Sequence, residues 1–369
     1  MKQDDDHQHP SDIPGGAGPG RRRTHGGGVL SGERVLVTGG TGYLGVHTIA
    51  ALLRAGYAVR ASVRTLEREG EIRGGLATAG LAEDSPLELV VAELSADDGW
   101  ARAVQGARFV LHVASPFPPA MPESDDEVIV PARDGALRVL RAARDAGVAR
   151  VVMTSSFAAV GYGHPPRERA FTEEDWTNID APLSAYIRSK AVAERAAWDF
   201  IASEGGGLEL VVVNPVGIFG PPLVPDLSAS TGLARQMITA MTAVPRLFTT
   251  VVDVRDVADL HLRAMTDPAA AGERFLASSG EPIPFTEMAK ILREAAGLPD
   301  AALPLLDDDT VREAAKTDPG MAGMVGELGK VRRVSSEKAG TRLGWRPRSN
   351  IETLQATATA FQQLGLLTT

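Results

Sequence analysis

The sequence predicts a doubly wound α/β fold: a parallel sheet with helices on both faces, followed by a smaller, mostly helical C-terminal lobe. Three observations carry this reading. From Glu33 to Val213, short β-branched runs alternate with amphipathic helical segments, and such alternation builds parallel sheets. The first of these runs opens into a glycine-rich turn and a helix. The rhythm breaks after Asn214, where Pro215, Gly217, Gly220, Pro221 and Pro222 cluster.

Taken in order, Arg34 to Thr38 reads as the first strand. Tyr43 to Ala55 has helical periodicity and stops at Gly56, a C-terminal cap signal. Tyr57 to Val63, Leu87 to Val91 and Phe109 to Val113 supply the next three strands. Asp125 to Ala146 is helical and ends at Gly147. Val151 to Thr154 is the fifth strand, Ser184 to Ser203 a long helix before Gly205, and Leu208 to Val213 the sixth strand. Helical segments then dominate: Leu233 to Thr242, Arg255 to Met265, Pro284 to Ala296 and Ile351 to Gln363. These assignments divide the chain into residues 31–215 and a lobe of residues 216–369, with segments around 247–265 returning to the first domain. Ala302 to Met324 is an unplaced stretch that could border a substrate pocket. Residues 1–30 hold Asp4 to Asp6, Arg21 to Arg23 and many glycines with little apolar content; they are expected to form a disordered tail, not a secretory signal.

Composition narrows the function without naming it. The chain has 369 residues, 44% of them hydrophobic, which is enough to bury a substantial core. It has no cysteine, which removes disulfides, Cys-ligated zinc, iron–sulfur clusters and thiol nucleophiles. The 38 Lys and Arg against 47 Asp and Glu give a net charge of −9, which disfavours a nucleic-acid partner. No apolar run reaches the length of a membrane span, so a cytoplasmic protein is expected. No metal site is expected either: His7 and His9 lie too sparsely in the tail to make one.

Chemistry enters with the turn after the first strand. Gly39-x-x-Gly42-x-x-Gly45 lies between strand and helix. Gly39 permits a tight turn, Gly42 admits a pyrophosphate close to the backbone, and Gly45 lets helix and strand pack closely. The helix N-terminus offers free N–H groups to phosphate. At the end of the second strand stands Arg64 rather than Asp or Glu. A guanidinium there suits a ribose 2′-phosphate and therefore NADP(H), with Arg68 able to assist; Arg60 is read as facing away from that site. Tyr186 and Lys190 are four residues apart on the Ser184 helix and share a face. An ammonium beside a phenol stabilises the phenolate, so such a tyrosine can exchange a proton with a carbonyl or hydroxyl. Ser155 and Ser156 close the fifth strand, at the sheet edge where α/β proteins present their sites, and a hydroxyl there can hold a developing alkoxide.

These motifs resemble the extended branch of the short-chain dehydrogenase/reductase superfamily, with its NAD-dependent epimerases and dehydratases. Within it the chain looks like the group of dihydroflavonol 4-reductase, cinnamoyl-CoA reductase and microbial aldehyde and ketone reductases. His112 to Phe117, Asn214-Pro215 with Gly220-Pro221, Val252 to Ala258, Ser335 to Lys338 and Leu343 to Trp345 also fit that group. The resemblance covers about residues 33–365. It implies a Rossmann domain and NADPH-dependent reduction of an aldehyde or ketone to an alcohol. It makes Ser156 the catalytic hydroxyl, Tyr186 the proton donor and Lys190 the group that orients the nicotinamide ribose. It places Gly39, Thr41, Gly42, Tyr43, Leu44 and Gly45 at the cofactor phosphates. Val113, Ala114 and Ser115 then line the cofactor, Pro215, Val216 and Ser230 flank the nicotinamide, and Glu93 with Leu94 stands near adenine, where the group usually has Asp. The substrate pocket is expected from Pro116 to Met121, Tyr162, residues 221–242 and residues after 280. A small-molecule carbonyl substrate and a monomer or homodimer are further implications. The alternatives on the same scaffold are a nucleotide-sugar epimerase and a 3β-hydroxysteroid-type dehydrogenase; dehydration is disfavoured because Phe157-Ala158, not an acidic pair, follows Ser156. Asp253, Arg255 and Asp256 are read as a structural turn, Trp176 as packing, and His112 as a satisfied strand-end histidine.

Overall fold

Each apolar run of the first half becomes a strand. The structure, a computed structural model, describes residues 32–116, 124–225 and 228–367; the expected tail and Phe117 to Met121 lie outside them. The strands are β1 (Arg34–Thr38), β2 (Ala58–Val63), β3 (Leu87–Val91), β4 (Ala107–His112), β5 (Arg150–Thr154) and β6 (Glu209–Pro215). A further strand, Arg274–Ala277, pairs with β6. The sheet order is Arg274–Ala277, β6, β5, β4, β1, β2, β3, and every pairing is parallel. Between the strands run α1 (Tyr43–Arg54), α2 (Glu69–Thr78), α3 (Trp100–Val104), α4 (Asp126–Asp145) and α5 (Ala185–Glu204).

Side-chain alternation builds a core on each face of the sheet. Val35, Val37, Leu111, Val152 and Val213 face one way, into a cluster with Val46 and Ile49 of α1. Leu36, Val110, Val151, Leu210 and Val212 face the other way, into a cluster with Val139 and Leu140 of α4 and Phe200 of α5. Beyond β6 the chain forms α7 (Val254–Thr266) and a lobe that includes α6 (Ala229–Thr239) and α8 (Phe285–Ala295). Its own core gathers Phe219, Met237, Met288, Leu292, Leu354 and Phe361.

The structure departs from the sequence reading in three places. Helices α2 and α3 carried no sequence signal: α2 holds three glycines, and α3 is five residues long. The return to the first domain runs past residue 265. Helix α7 buries Val257, Leu260 and Ala264 in the same cluster as α1, and the chain then adds the Arg274–Ala277 strand to the sheet. The unplaced stretch 302–324 contains two short helices, Asp308–Ala314 and Pro319–Val325. Asp307 and Asp318 cap them by accepting from first-turn backbone N–H groups.

Three buried histidines tie the layers together. His47 on α1 meets the Pro221 carbonyl at 2.9 Å through Nε2. His261 on α7 spans Val257 O at 2.8 Å and Thr154 Oγ1 at 2.7 Å. His112 at the end of β4 meets Thr38 Oγ1 at 2.9 Å. Burial pushes each imidazole down to about 4, so all three are neutral in the folded protein at neutral pH. The unfolded chain protonates them near 6.5. As pH falls from 6.5 towards 4, the unfolded state therefore takes up protons that the folded state refuses, and stability declines by up to about 1.4 kcal/mol per histidine per pH unit. Urea midpoints are expected to drop between pH 7 and pH 5. A midpoint constant over that range would refute the assignment.

Candidate active site

The cradle follows from chain sterics. Gly39 has φ +70°, in the left-handed region. A Cβ on Gly45 would lie 2.1 Å from the Gly39 carbonyl oxygen, so α1 can start over the end of β1 only with glycine there. No side chain caps α1 at Gly42, which leaves its first-turn N–H groups available to an anion. Thr38 Oγ1 accepts from the Ala114 N–H at 3.0 Å and meets His112. The β1 and β4 ends are thereby held side by side at the point where strand order reverses, the place an open α/β sheet offers a ligand.

A cavity of about 830 Å³ opens at that crevice. Every residue assigned from the sequence to catalysis or to the cofactor reaches its lining: Gly39, Thr41, Gly42, Tyr43, Leu44 and Gly45 at the cradle, Arg64 past β2, Glu93 and Leu94 past β3, Val113, Ala114 and Ser115 past β4, Ser156, Tyr186 and Lys190 on the far side, and Pro215, Val216 and Ser230 from the lobe junction. Arg68 also lines it and pairs with Glu71 at 2.6 Å. The volume, the uncapped helix start and the glycine sterics fit a dinucleotide.

The polar groups at the inner end are held by the fold. Lys190 Nζ donates to Ser115 Oγ at 2.8 Å and stands 5.6 Å from the Tyr186 ring centre. Tyr186 is 43% exposed, open to the cavity. Ser156 Oγ accepts from Ala158 N–H at 3.1 Å, and the Ser156 carbonyl accepts from Asn214 Nδ2 at 3.2 Å. A second cavity of about 380 Å³ meets the first here, sharing Ser156, Tyr186, Pro215, Val216 and Ser230.

Residues with structural readings keep them. Asp253 caps α7 and pairs with Arg255 at 2.6 Å; Asp256 accepts from Arg348 N–H at 2.6 Å. Trp176 lies under the Arg274 guanidinium at 3.8 Å. Arg60 is buried away from the cavity and donates to Arg102 O, Ala103 O and Gln105 O. Tyr43 lines the cavity, yet its hydroxyl is engaged with the Gly220 carbonyl at 2.9 Å.

Sequence reading missed Glu194. It is fully buried on α5, one helical turn past Lys190. Its carboxylate accepts from Ser155 Oγ, from Asn214 Nδ2 at 2.6 Å and from Arg274 Nε at 2.6 Å. The available signal was spacing: Tyr186, Lys190 and Glu194 follow one another at four-residue intervals.

Residues 35–277 match the model of the NAD dependent epimerase/dehydratase family. The chain belongs to that family. It is 33% identical over 269 residues to cinnamoyl-CoA reductase CAD2 of Medicago truncatula, covering 71% of this chain and 81% of the relative. It is 32% identical over 269 residues to a dihydroflavonol 4-reductase of Zea mays, covering 70% and 73%. Among solved structures, it superposes on the yeast methylglyoxal/isovaleraldehyde reductase complexed with NADPH with a TM-score of 0.74 at 26% identity, over 91% of this chain and 100% of the other.

Removing the Glu194 carboxylate leaves Arg274 buried without its counter-charge. Glu194→Ala is expected to cost about 3–5 kcal/mol of stability, read as a lowered thermal midpoint. A change below ~1 kcal/mol would show that the network bears little of the fold.

Proposed function

We propose that the protein is an NADPH-dependent reductase that converts an aldehyde or ketone to an alcohol. The observation that carries this reading is the convergence of Ser156, Tyr186 and Lys190 where the long cavity meets the smaller one. A dinucleotide along the first cavity and a carbonyl compound in the second would meet at these three side chains. The named relatives and the NADPH-bound structural neighbour support the same chemistry.

When bound, NADPH supplies the hydride. The chain's own residues do the rest. The uncapped start of α1 and the Gly39–Gly45 turn receive the pyrophosphate. Arg64 presents a planar guanidinium to a ribose 2′-phosphate. Ser156 Oγ donates to the carbonyl oxygen as charge develops on it, and Tyr186 Oη delivers the proton. Lys190 sets the charge beside the phenol and hydrogen-bonds the ribose, Ser115 holding its ammonium until then. Dehydration on this scaffold needs an acidic pair after the catalytic hydroxyl. Here the position holds Phe157, whose ring packs on Phe171 at 5.5 Å and on Tyr162 at 5.9 Å.

Tyr186→Phe is expected to lower kcat by roughly 10²–10⁴ while the Kd for NADPH, read by fluorescence titration, stays within about twofold. Undiminished turnover would remove Tyr186 from the proton step. Arg64→Ala is expected to raise the KM for NADPH about tenfold or more, with little effect on NADH, since one charge-assisted contact is worth ~1.5–3 kcal/mol. An NADH preference in the parent protein would overturn the Arg64 role.

A further inference from the structure

The smaller cavity carries a charge that the reduction chemistry does not use. Its wall is mixed: Phe157, Ala158, Ile187, Phe248 and Pro282 supply apolar surface, and Ser184, Thr249 and Thr250 supply hydroxyls. At another part of the lining stand Tyr162, Glu327 and Arg332. Arg332 is 19% exposed at its side chain and is fixed from three sides. Nε donates to the Gly161 carbonyl at 3.1 Å, one terminal nitrogen meets Glu327 at 2.5 Å, and the guanidinium lies 4.4 Å from the Tyr162 ring centre. The other terminal nitrogen hydrogen-bonds no described residue. Glu327 is shared: Lys330 Nζ is 3.6 Å from its other oxygen. Two cations therefore share one carboxylate, so Glu327 only partly offsets Arg332, the cation that lines the pocket.

Tyr162 links this charge to the reacting end, since its ring touches Phe157, the residue next to Ser156. A preorganised guanidinium with a free donor edge suits a planar anion, with which it can make charge-assisted hydrogen bonds. We infer that Arg332 is a specificity-determining residue that anchors a carboxylate, and that the preferred substrates are carbonyl acids: compact aldehydes or ketones whose carbonyl faces Tyr186 while a carboxylate reaches Arg332. The inference rests on the proposed reductase function and adds the substrate class.

The test uses matched pairs, each a keto acid and its methyl ester, assayed for NADPH oxidation with the full-length protein. Thermal shift by the same compounds in the presence of NADPH runs in parallel. The wild-type protein should show a KM for the acid about tenfold below that for the ester, the size of one charge-assisted contact. Arg332→Gln should erase that difference while leaving the KM for NADPH unchanged, and Arg332→Lys should retain part of it. Glu327→Gln removes the competing carboxylate, so it should tighten the acid further and leave the ester alone. A merely structural role for the pair would weaken both compounds in every variant. Equal KM values for acid and ester in the wild type, or equal losses in Arg332→Gln, would overturn the inference. If no carbonyl compound is reduced, the reductase reading fails. The acid's stabilisation of the protein over the ester's, and its loss in Arg332→Gln, then decides the anion site by itself.

Discussion

Glu194 has no exposed surface, yet it carries a carboxylate into the middle of the molecule. Few constraints on a protein are as strict, because an uncompensated buried charge is strongly destabilising. Its partners come from three separate strand ends: Ser155 at β5, Asn214 in β6 and Arg274 in the edge strand. Satisfying one side chain therefore fixes the depth of α5 against the sheet. Tyr186 and Lys190 ride on that helix, two turns and one turn before Glu194 respectively. Asn214 also holds the Ser156 carbonyl. Ser156, Tyr186 and Lys190 thus take their relative positions from a residue outside the cavity that they line.

The same economy governs the arginines. Arg60 reaches the carbonyls at the end of α3, Arg150 those at the end of α7, and Arg293 those at the end of α6. A helix C-terminus presents unsatisfied carbonyls and the negative end of the dipole, so a guanidinium there satisfies both at once. Arg64 is spared this work and lines the cavity instead.

Much of the site was legible because its chemistry is local in sequence. The Gly39–Gly45 turn and the Tyr186–Lys190 pair each fall within one short segment, and strand ends of a parallel sheet converge wherever the connections are right-handed crossovers. The strands of the first half were legible from runs that are apolar on both faces, as buried parallel strands must be. What was not legible depends on partners far along the chain. The four residues of Arg274–Ala277 show no pattern of their own and become a strand because β6 offers an open edge. Glu194 reads as an ordinary charged helix residue until Arg274 is placed beside it. Arg332 lies in a segment with little periodicity, and only the folded lobe brings it beside the pocket that Tyr186 also lines.

The edge strand has one more consequence, for the order in which the molecule can be made. Glu194 and Arg274 are separated by 80 positions, and the chain between them includes β6 and much of the lobe. During synthesis, β1 to β6 and all of α5 leave the ribosome before Arg274 exists. Until it emerges, the nascent domain has an open sheet edge at β6 and a carboxylate seeking an interior that holds no counter-charge. Native docking of α5 is therefore a late event, coupled to completion of the sheet. The domain built on the seven-stranded sheet is finished from the C-terminal side, by a piece of chain that sequence order assigns to the other lobe.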